Sequence, residues 1–315
     1  MVKELPLSLV KFGIQLVLCT YSGKWDALGG NVLASKTKEE IEFPKYYVYY
    51  KDDALYIITK GTDSIEDAIA DFTITETTNK YGTFHSGFYN SAMNVYKAVL
   101  KYIESHDGKI YFVGHSLGGA VSSVLHVLAK HDYPEKDILT LAYAPAPAMS
   151  IDMIDDYKDT LFSFVNEDDI VPLASALNCL ALINKYFGYD FKILEKYQDE
   201  IVFSFKLQLR LLKRRKIISE EVYDKLYATA SEIINILIEC SNGTLKRNVR
   251  YIAGTVYQMF KDDPKPLEDC EIDPAEKLNI LKVSKNSLKF HSPWEYEKRF
   301  NEIPEIGRAS CRERV

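Results

Sequence analysis

The sequence predicts an α/β fold: a mostly parallel sheet covered by helices, with a helical insertion late in the chain. Three observations lead there. Lys109–Ala120, KIYFVGHSLGGA, joins a short apolar run of β-formers to a helix through a Gly-rich turn. Strand-like and helix-like segments then alternate to Val165, the pattern of a parallel sheet with helices on both faces. Finally, Ala176–Lys246 is almost wholly helical in character, before strand composition returns at Tyr251–Phe260. The helical stretch therefore reads as a cap inserted between two strands of one sheet.

The turn at 114–118 is the most informative stretch. Gly114-His115-Ser116-Leu117-Gly118 fits G-x-S-x-G between a strand and a helix, the context of the nucleophile elbow of α/β hydrolases. Ser116 must sit on a strained turn with its hydroxyl presented. Side chains two residues to either side would strike the neighbouring strand and helix. The helix that starts after Ser116 also offers backbone N–H groups where negative charge would develop.

The remaining elements follow in order. Leu5–Thr20 reads as an amphipathic N-terminal helix, because Lys11 interrupts its apolar run and Cys19-Thr20-Tyr21-Ser22 is a poor cleavage site. Tyr46–Tyr50 and Ala54–Thr59 are β-rich runs around Lys51-Asp52-Asp53, a hairpin. Lys60-Gly61-Thr62-Asp63 ends the second of these strands. Asp63 and Glu66 then form a capping box for a short helix with Ile65, Ala68, Ile69 and Phe72 on one face. Phe84–Phe88 leads into a long helix ending near Glu104, and the elbow strand comes next. Asp137–Tyr143 and Thr160–Val165 are further strands, the latter ending in Asn166-Glu167-Asp168-Asp169-Ile170-Val171-Pro172. Lys213-Arg214-Arg215-Lys216 reads as cations complementing a helix C-terminus; contact with anionic lipid is the sharper reading. Residues 1–304 are expected to form one domain, with the insertion at about 176–246. The tail Glu305–Val315, EIGRASCRERV, resembles a translated sequencing adapter and is expected to be non-native.

Composition limits the partners. The 315 residues are 47% hydrophobic and 27% charged, with a net charge of −6, so no basic balance points to nucleic acid. No apolar run reaches the length of a membrane span. The five cysteines lack C-x-x-C spacing, which predicts thiols in a reducing compartment and neither zinc nor disulfides. A cytoplasmic location is expected, with peripheral contact at membranes or lipid droplets. Asn242-Gly243-Thr244 is a glycosylation sequon on paper and reads as a turn.

A serine hydroxyl needs a base to take its proton, and α/β hydrolases order the partners Ser, acid, His. Of six histidines only His291 follows every plausible acid position, in a segment expected to be a loop leaving the last strand. Asp168 and Asp169 both follow a strand end. Asp169 adjoins Ile170-Val171-Pro172 and should be drawn inward; Asp168 adjoins Glu167, should be more solvated, and stays open as the alternative. An oxyanion hole needs two donors. The N–H of Leu117 supplies one, and Thr62, in an early strand-to-helix loop, is placed for the other. This chemistry needs no metal or organic cofactor.

At this point the sequence resembles the class 3 lipases, the fungal-type triacylglycerol lipases together with diacylglycerol lipases. The likeness rests on Lys60-Gly61-Thr62 with the helix ending Ala70-Asp71-Phe72, on His85-Ser86-Gly87-Phe88, on Gly114–Ala120, on Asn166–Pro172 and on His291. It implies Ser116 as nucleophile, Asp169 as acid, His291 as base and Thr62 as first oxyanion donor. It also implies a lipid-ester substrate, with phospholipase A1 or short-chain esterase activity as the alternative. An inactive hydrolase-like binding or signalling module is the alternative outside catalysis. The helix at 63–72 can act as a lid in this family, and the 176–246 insertion is a second lid candidate. Lys60 stands where the family usually has Arg. Ala144-Pro145-Ala146-Pro147 replaces a Gly-x-Pro-Arg-type segment, and the insertion is long.

Overall fold

The computed structural model describes residues 5–38, 40, 43–62, 75–187, 196–215, 220–241, 248–280, 282, 284 and 286–304. The elements run α1 (Leu7–Ser22), β1 (Asn31–Lys36), β2 (Tyr46–Lys51), β3 (Ala54–Thr59), β4 (Glu76–Asn79), β5 (Gly82–His85) and α2 (Ser86–Ser105). Next come β6 (Lys109–His115), α3 (Leu117–Asp132), β7 (Ile138–Tyr143) and β8 (Leu161–Asn166). The insertion supplies α4 (Ala176–Phe187), α5 (Gln198–Arg214) and α6 (Glu220–Ser241). The chain closes with β9 (Thr255–Met259), β10 (Glu271–Ile272), α7 (Pro274–Lys277), α8 (Ser287–Phe290) and α9 (Pro293–Glu302).

Eight strands form one sheet in the order β1-β2-β3-β6-β7-β8-β9-β10. The five from β3 to β9 in this order are parallel, and β1, β2 and β10 extend the two edges antiparallel. The central strands are apolar on both faces because both faces are covered. Leu55, Ile57, Ile110 and Phe112 face α2 and α3, among Val95, Val99, Val121 and Leu125. Tyr56, Ile58, Tyr111 and Val113 alternate with them and face α1 and α9, among Val10, Ile14, Val17, Tyr296 and Phe300. Each such apolar side chain gains about 1.5–3 kcal/mol on full burial. Helix α1 lies close on the sheet: a Cβ at Gly13 would stand 2.4 Å from the Tyr143 hydroxyl, which donates to the Val10 carbonyl at 2.6 Å.

The α/β expectation is met, with differences in detail. β1, the β4–β5 hairpin and the two-residue β10 are additional to the strands expected; all are short, polar or at an edge, where apolar periodicity is weakest. The β7-to-β8 crossover contains only a 3₁₀ turn at Ile151–Met153, so strict strand–helix alternation fails there. Strand β9 is Thr255–Met259, shorter than the expected Tyr251–Phe260. His291 does not follow a strand; it caps α8 and precedes α9. The predicted helix with its capping box at 63–72, the sequon at 242–244 and the tail at 305–315 lie outside the described residues.

Candidate active site

Three adjacent parallel strands, β6, β7 and β8, are each followed at once by a residue with positive φ. These are Ser116 (φ 60°), Ala144 (φ 48°) and Glu167 (φ 54°). Such turns are strained for side chains with a Cβ, and they change chain direction sharply at the carboxyl edge of the sheet. At Ser116 (ψ −129°) the strand passes directly into α3, which begins at Leu117. The Ser116 N–H donates to the Tyr143 carbonyl at 2.9 Å, which ties the turn to the neighbouring strand. The flanking glycines are steric necessities. A Cβ on Gly114 would lie 2.1 Å from the Gly118 carbonyl oxygen, and one on Gly118 would lie 2.1 Å from that of Thr59. The first N–H groups of α3, from Leu117 onward, lack intrahelical partners by geometry and converge beside Ser116.

Asp169 and His291 are brought to this turn. The Ser116 Oγ lies 2.8 Å from His291 Nε2, and His291 Nδ1 lies 2.9 and 3.0 Å from the two carboxylate oxygens of Asp169. All three side chains are buried. A carboxylate accepts only, so Nδ1 carries the proton and Nε2 offers its lone pair to the serine hydroxyl. Asp169 is fixed by two further donors: the Val171 N–H at 3.0 Å and the Tyr296 hydroxyl at 2.8 Å. Burial and the adjacent Asp169 charge push the Tyr296 phenol well above its ordinary range, so it remains a donor. Asp168, the alternative acid, points elsewhere: its side chain is 43% exposed and lies 3.4 Å from Lys282 Nζ.

His291 is also held through its backbone. His115 Nε2–H donates to the His291 carbonyl at 2.7 Å, and the two rings lie 4.7 Å apart. With Nε2 protonated, His115 Nδ1 is left to accept from the Tyr21 hydroxyl at 3.4 Å. Burial, and then the nearness of His291, push His115 far below the usual imidazole range and keep it neutral. From the other side, Asn166 Nδ2 donates to the Phe290 carbonyl at 3.0 Å, while the Asn166 N–H donates to the Tyr296 hydroxyl at 3.0 Å. Arg299 Nε donates to Asn166 Oδ1 at 3.1 Å. The Asp169 turn and the His291 turn are therefore one bonded unit.

The early loop reaches the same place. A Cβ on Gly61 would stand 2.6 Å from the His115 carbonyl oxygen and 3.1 Å from Ser116 Cβ, so the chain at 61 is pressed against the elbow. Thr62, the next residue, is half-buried. The lid candidate at 63–72 lies outside the described residues.

His115, Asn166, Tyr296 and Arg299 were not singled out as site residues by sequence reasoning. His115 occupies an unconstrained position of G-x-S-x-G. Tyr296 and Phe300 at i, i+4 after a Pro-started helix gave only an apolar-stripe signal.

Comparison with known protein families matches residues 56–179 to the class 3 lipases. No curated protein matches the chain. Among solved structures, the chain is similar to a lipase from Rhizopus microsporus var. chinensis, with 20% identity, a TM-score of 0.46 and coverage of 53% of this chain and 68% of that one. It is also similar to the native Rhizomucor miehei lipase propeptide complex, with 20% identity, a TM-score of 0.46 and coverage of 52% and 62%. A triacylglycerol lipase from Penicillium expansum gives 19%, 0.44, and 54% and 74%. The chain thus spans about three fifths of the Rhizomucor lipase it matches. The segment matched to the class 3 lipase model, residues 56–179, holds Ser116 and Asp169.

Proposed function

We propose that this protein hydrolyses carboxylic esters of lipids, of the triacylglycerol or diacylglycerol type, through a covalent acyl-enzyme on Ser116. The observation that carries this reading is the unbroken buried chain Ser116 Oγ, His291 Nε2, His291 Nδ1, Asp169 carboxylate, with no link longer than 3.0 Å. His291 takes the hydroxyl proton as Ser116 Oγ bonds to the ester carbonyl carbon. The resulting oxyanion is met by the N–H of Leu117 and by Thr62. His291 then gives its proton to the leaving alkoxide as the C–O bond breaks. Water, deprotonated by the same imidazole, cleaves the acyl-enzyme and releases the acid. Asp169 keeps the tautomer that leaves Nε2 free and balances the transient imidazolium.

A fluorophosphonate probe should label the purified protein at Ser116, and Ser116→Ala should lower kcat on a p-nitrophenyl ester by about four to six orders of magnitude while the fold is retained. Labelling that persists in Ser116→Ala, or hydrolysis near the wild-type rate, overturns the assignment. A series of mono-, di- and triacylglycerols with varied chain length then separates the lipase reading from a short-chain esterase, and a phosphatidylcholine substrate separates it from a phospholipase A1.

A further inference from the structure

Helix α5 of the insertion presents apolar side chains where a surface helix normally presents polar ones. Its inward face carries Leu209, which is buried. Its outward face carries Phe203, Leu207 and Leu211, which are 66%, 43% and 38% exposed. Spaced at i, i+4 and i+8, these three form one continuous stripe along the helix. Two large apolar faces on one helix leave the outer one without a place in the core.

The charge on the same helix is one-sided. From Ile201 to Arg215 there is no carboxylate, and Lys206, Arg210, Lys213, Arg214 and Arg215 supply five cations in a chain whose net charge is −6. At 100° per residue, Arg210 falls beside the apolar stripe, Arg214 in line with it one turn beyond Leu211, and Arg215 on its far edge. Some of the cations are steadied by α6. Lys206 Nζ and the Arg210 guanidinium lie 4.8 and 5.4 Å from the Tyr227 ring centroid, and Arg210 Nη2 donates to the Tyr227 hydroxyl at 2.9 Å. Lys213 is paired with Glu220 at 2.6 Å and lies over Tyr223. Arg214 and Arg215 are exposed. Among the described residues no helix is long and apolar enough to cross a membrane.

From these observations we infer that α5 is a docking surface for an anionic lipid bilayer. The helix lies in the plane of the interface, with Phe203, Leu207 and Leu211 entering the acyl-chain boundary. Arg210, Arg214 and Arg215 meet lipid phosphates and carboxylates at the headgroup level. The charge balance favours this occupant over a second copy of the chain, whose α5 offers only Asp199 and Glu200 to the five cations. The insertion leaves the sheet at the carboxyl end of β8, the edge where Asp169 lies. The surface is separate from the triad, and docking does not require turnover.

The test uses full-length Ser116→Ala protein, so that lipid is not consumed, with sedimentation of vesicles of phosphatidylcholine alone or with phosphatidylserine. Binding should favour the phosphatidylserine vesicles by at least about tenfold and weaken with added salt. Each cation removed should cost about fivefold, so the triple change Arg210→Gln, Arg214→Gln and Arg215→Gln should lower partitioning by about two orders of magnitude. In a Phe203→Trp variant, the emission of the added indole should shift to the blue on phosphatidylserine vesicles and be quenched by brominated acyl chains, a readout that leaves the helix packing intact. The inference is overturned if the phosphatidylserine preference is absent or survives the triple change. It is equally overturned if the emission of the Phe203→Trp variant does not move, or if sedimentation velocity shows a dimer that Leu207→Ser dissolves while vesicle binding is nil. Loss of docking leaves ester hydrolysis in the Ser116 protein untouched, so the two readings fail separately.

Discussion

The carboxyl edge of β6–β8 and the helical insertion solve opposite problems with similar residues. At the sheet edge every polar side chain of the Ser116–His291–Asp169 unit is buried and bonded, and Asp169 alone receives three donors. In the insertion, polar contacts such as Arg210–Tyr227 and Lys213–Glu220 sit at the surface, and apolar Phe203 faces outward. Burial makes each bond at the edge costly to lose, because the abandoned partner has no water to turn to. Exposure makes the bonds of the insertion cheap individually, since water and salt compete for every one. Precision of position is therefore expected at the edge, and tolerance in the insertion.

The sharpest way to break this contrast lies in two adjacent carboxylates. Asp169→Asn would replace a buried acceptor with an amide that favours the wrong imidazole tautomer, and kcat should fall about 10⁴-fold. Asp168→Asn, at an exposed site, should stay within a few-fold of wild type. Steady-state kinetics on both variants decide the matter; equal losses would mean that burial does not set the difference.

Backbone crowding gives the next largest effect. Gly118→Ala would drive a Cβ to 2.1 Å from the Thr59 carbonyl oxygen, so β3 and α3 must separate. The expected loss in urea unfolding is about 1–3 kcal/mol or more, with activity falling as the elbow shifts. Gln208→Ala, exposed on α5, should change stability by no more than about 0.5 kcal/mol. Comparable losses at the two positions would remove the distinction between edge and insertion.

Acid titration sharpens the comparison further. His126 is buried between Thr140 and Thr160 at 2.9 and 3.1 Å, and burial followed by the nearby Lys130 lowers it to about 3. The unfolded chain takes up that proton near pH 6.5, whereas the folded chain refuses it until about pH 3. Stability from this group is thus complete above about pH 6.5 and is lost progressively on acidification between those values. Unfolding free energy measured from pH 7 to 4 should fall by up to about 1.4 kcal/mol per pH unit on account of His126, and His126→Gln should flatten that slope by the same amount. An unchanged slope would show that this interior site carries no such proton linkage.

Much of this was legible in the chain itself. Alternating apolar residues in Leu55–Ile58 and Ile110–Val113 dictate strands covered on both faces, because no exposed arrangement could hide both sets. G-x-S-x-G dictates the elbow, because only glycine fits where the Gly114 and Gly118 backbones approach their neighbours. Chain order singles out His291. The edge strands β1 and β10 gave little signal, since edge pairing is decided by which backbone groups remain open once the sheet exists.

What only the tertiary structure decided is the company each site residue keeps. Asp168 and Asp169 differ by one position and nearly tie on local grounds. The turn after the left-handed Glu167 sends Asp169 to Val171, Tyr296 and His291, and leaves Asp168 beside Lys282. His115 and Tyr296 meet His291 and Asp169 across sequence separations of 176 and 127 residues. Periodicity reports which face of an element is buried, because burial depends on neighbours along the same strand or helix. A hydrogen bond across the molecule depends on where two distant elements finally pack, and local sequence holds no record of that.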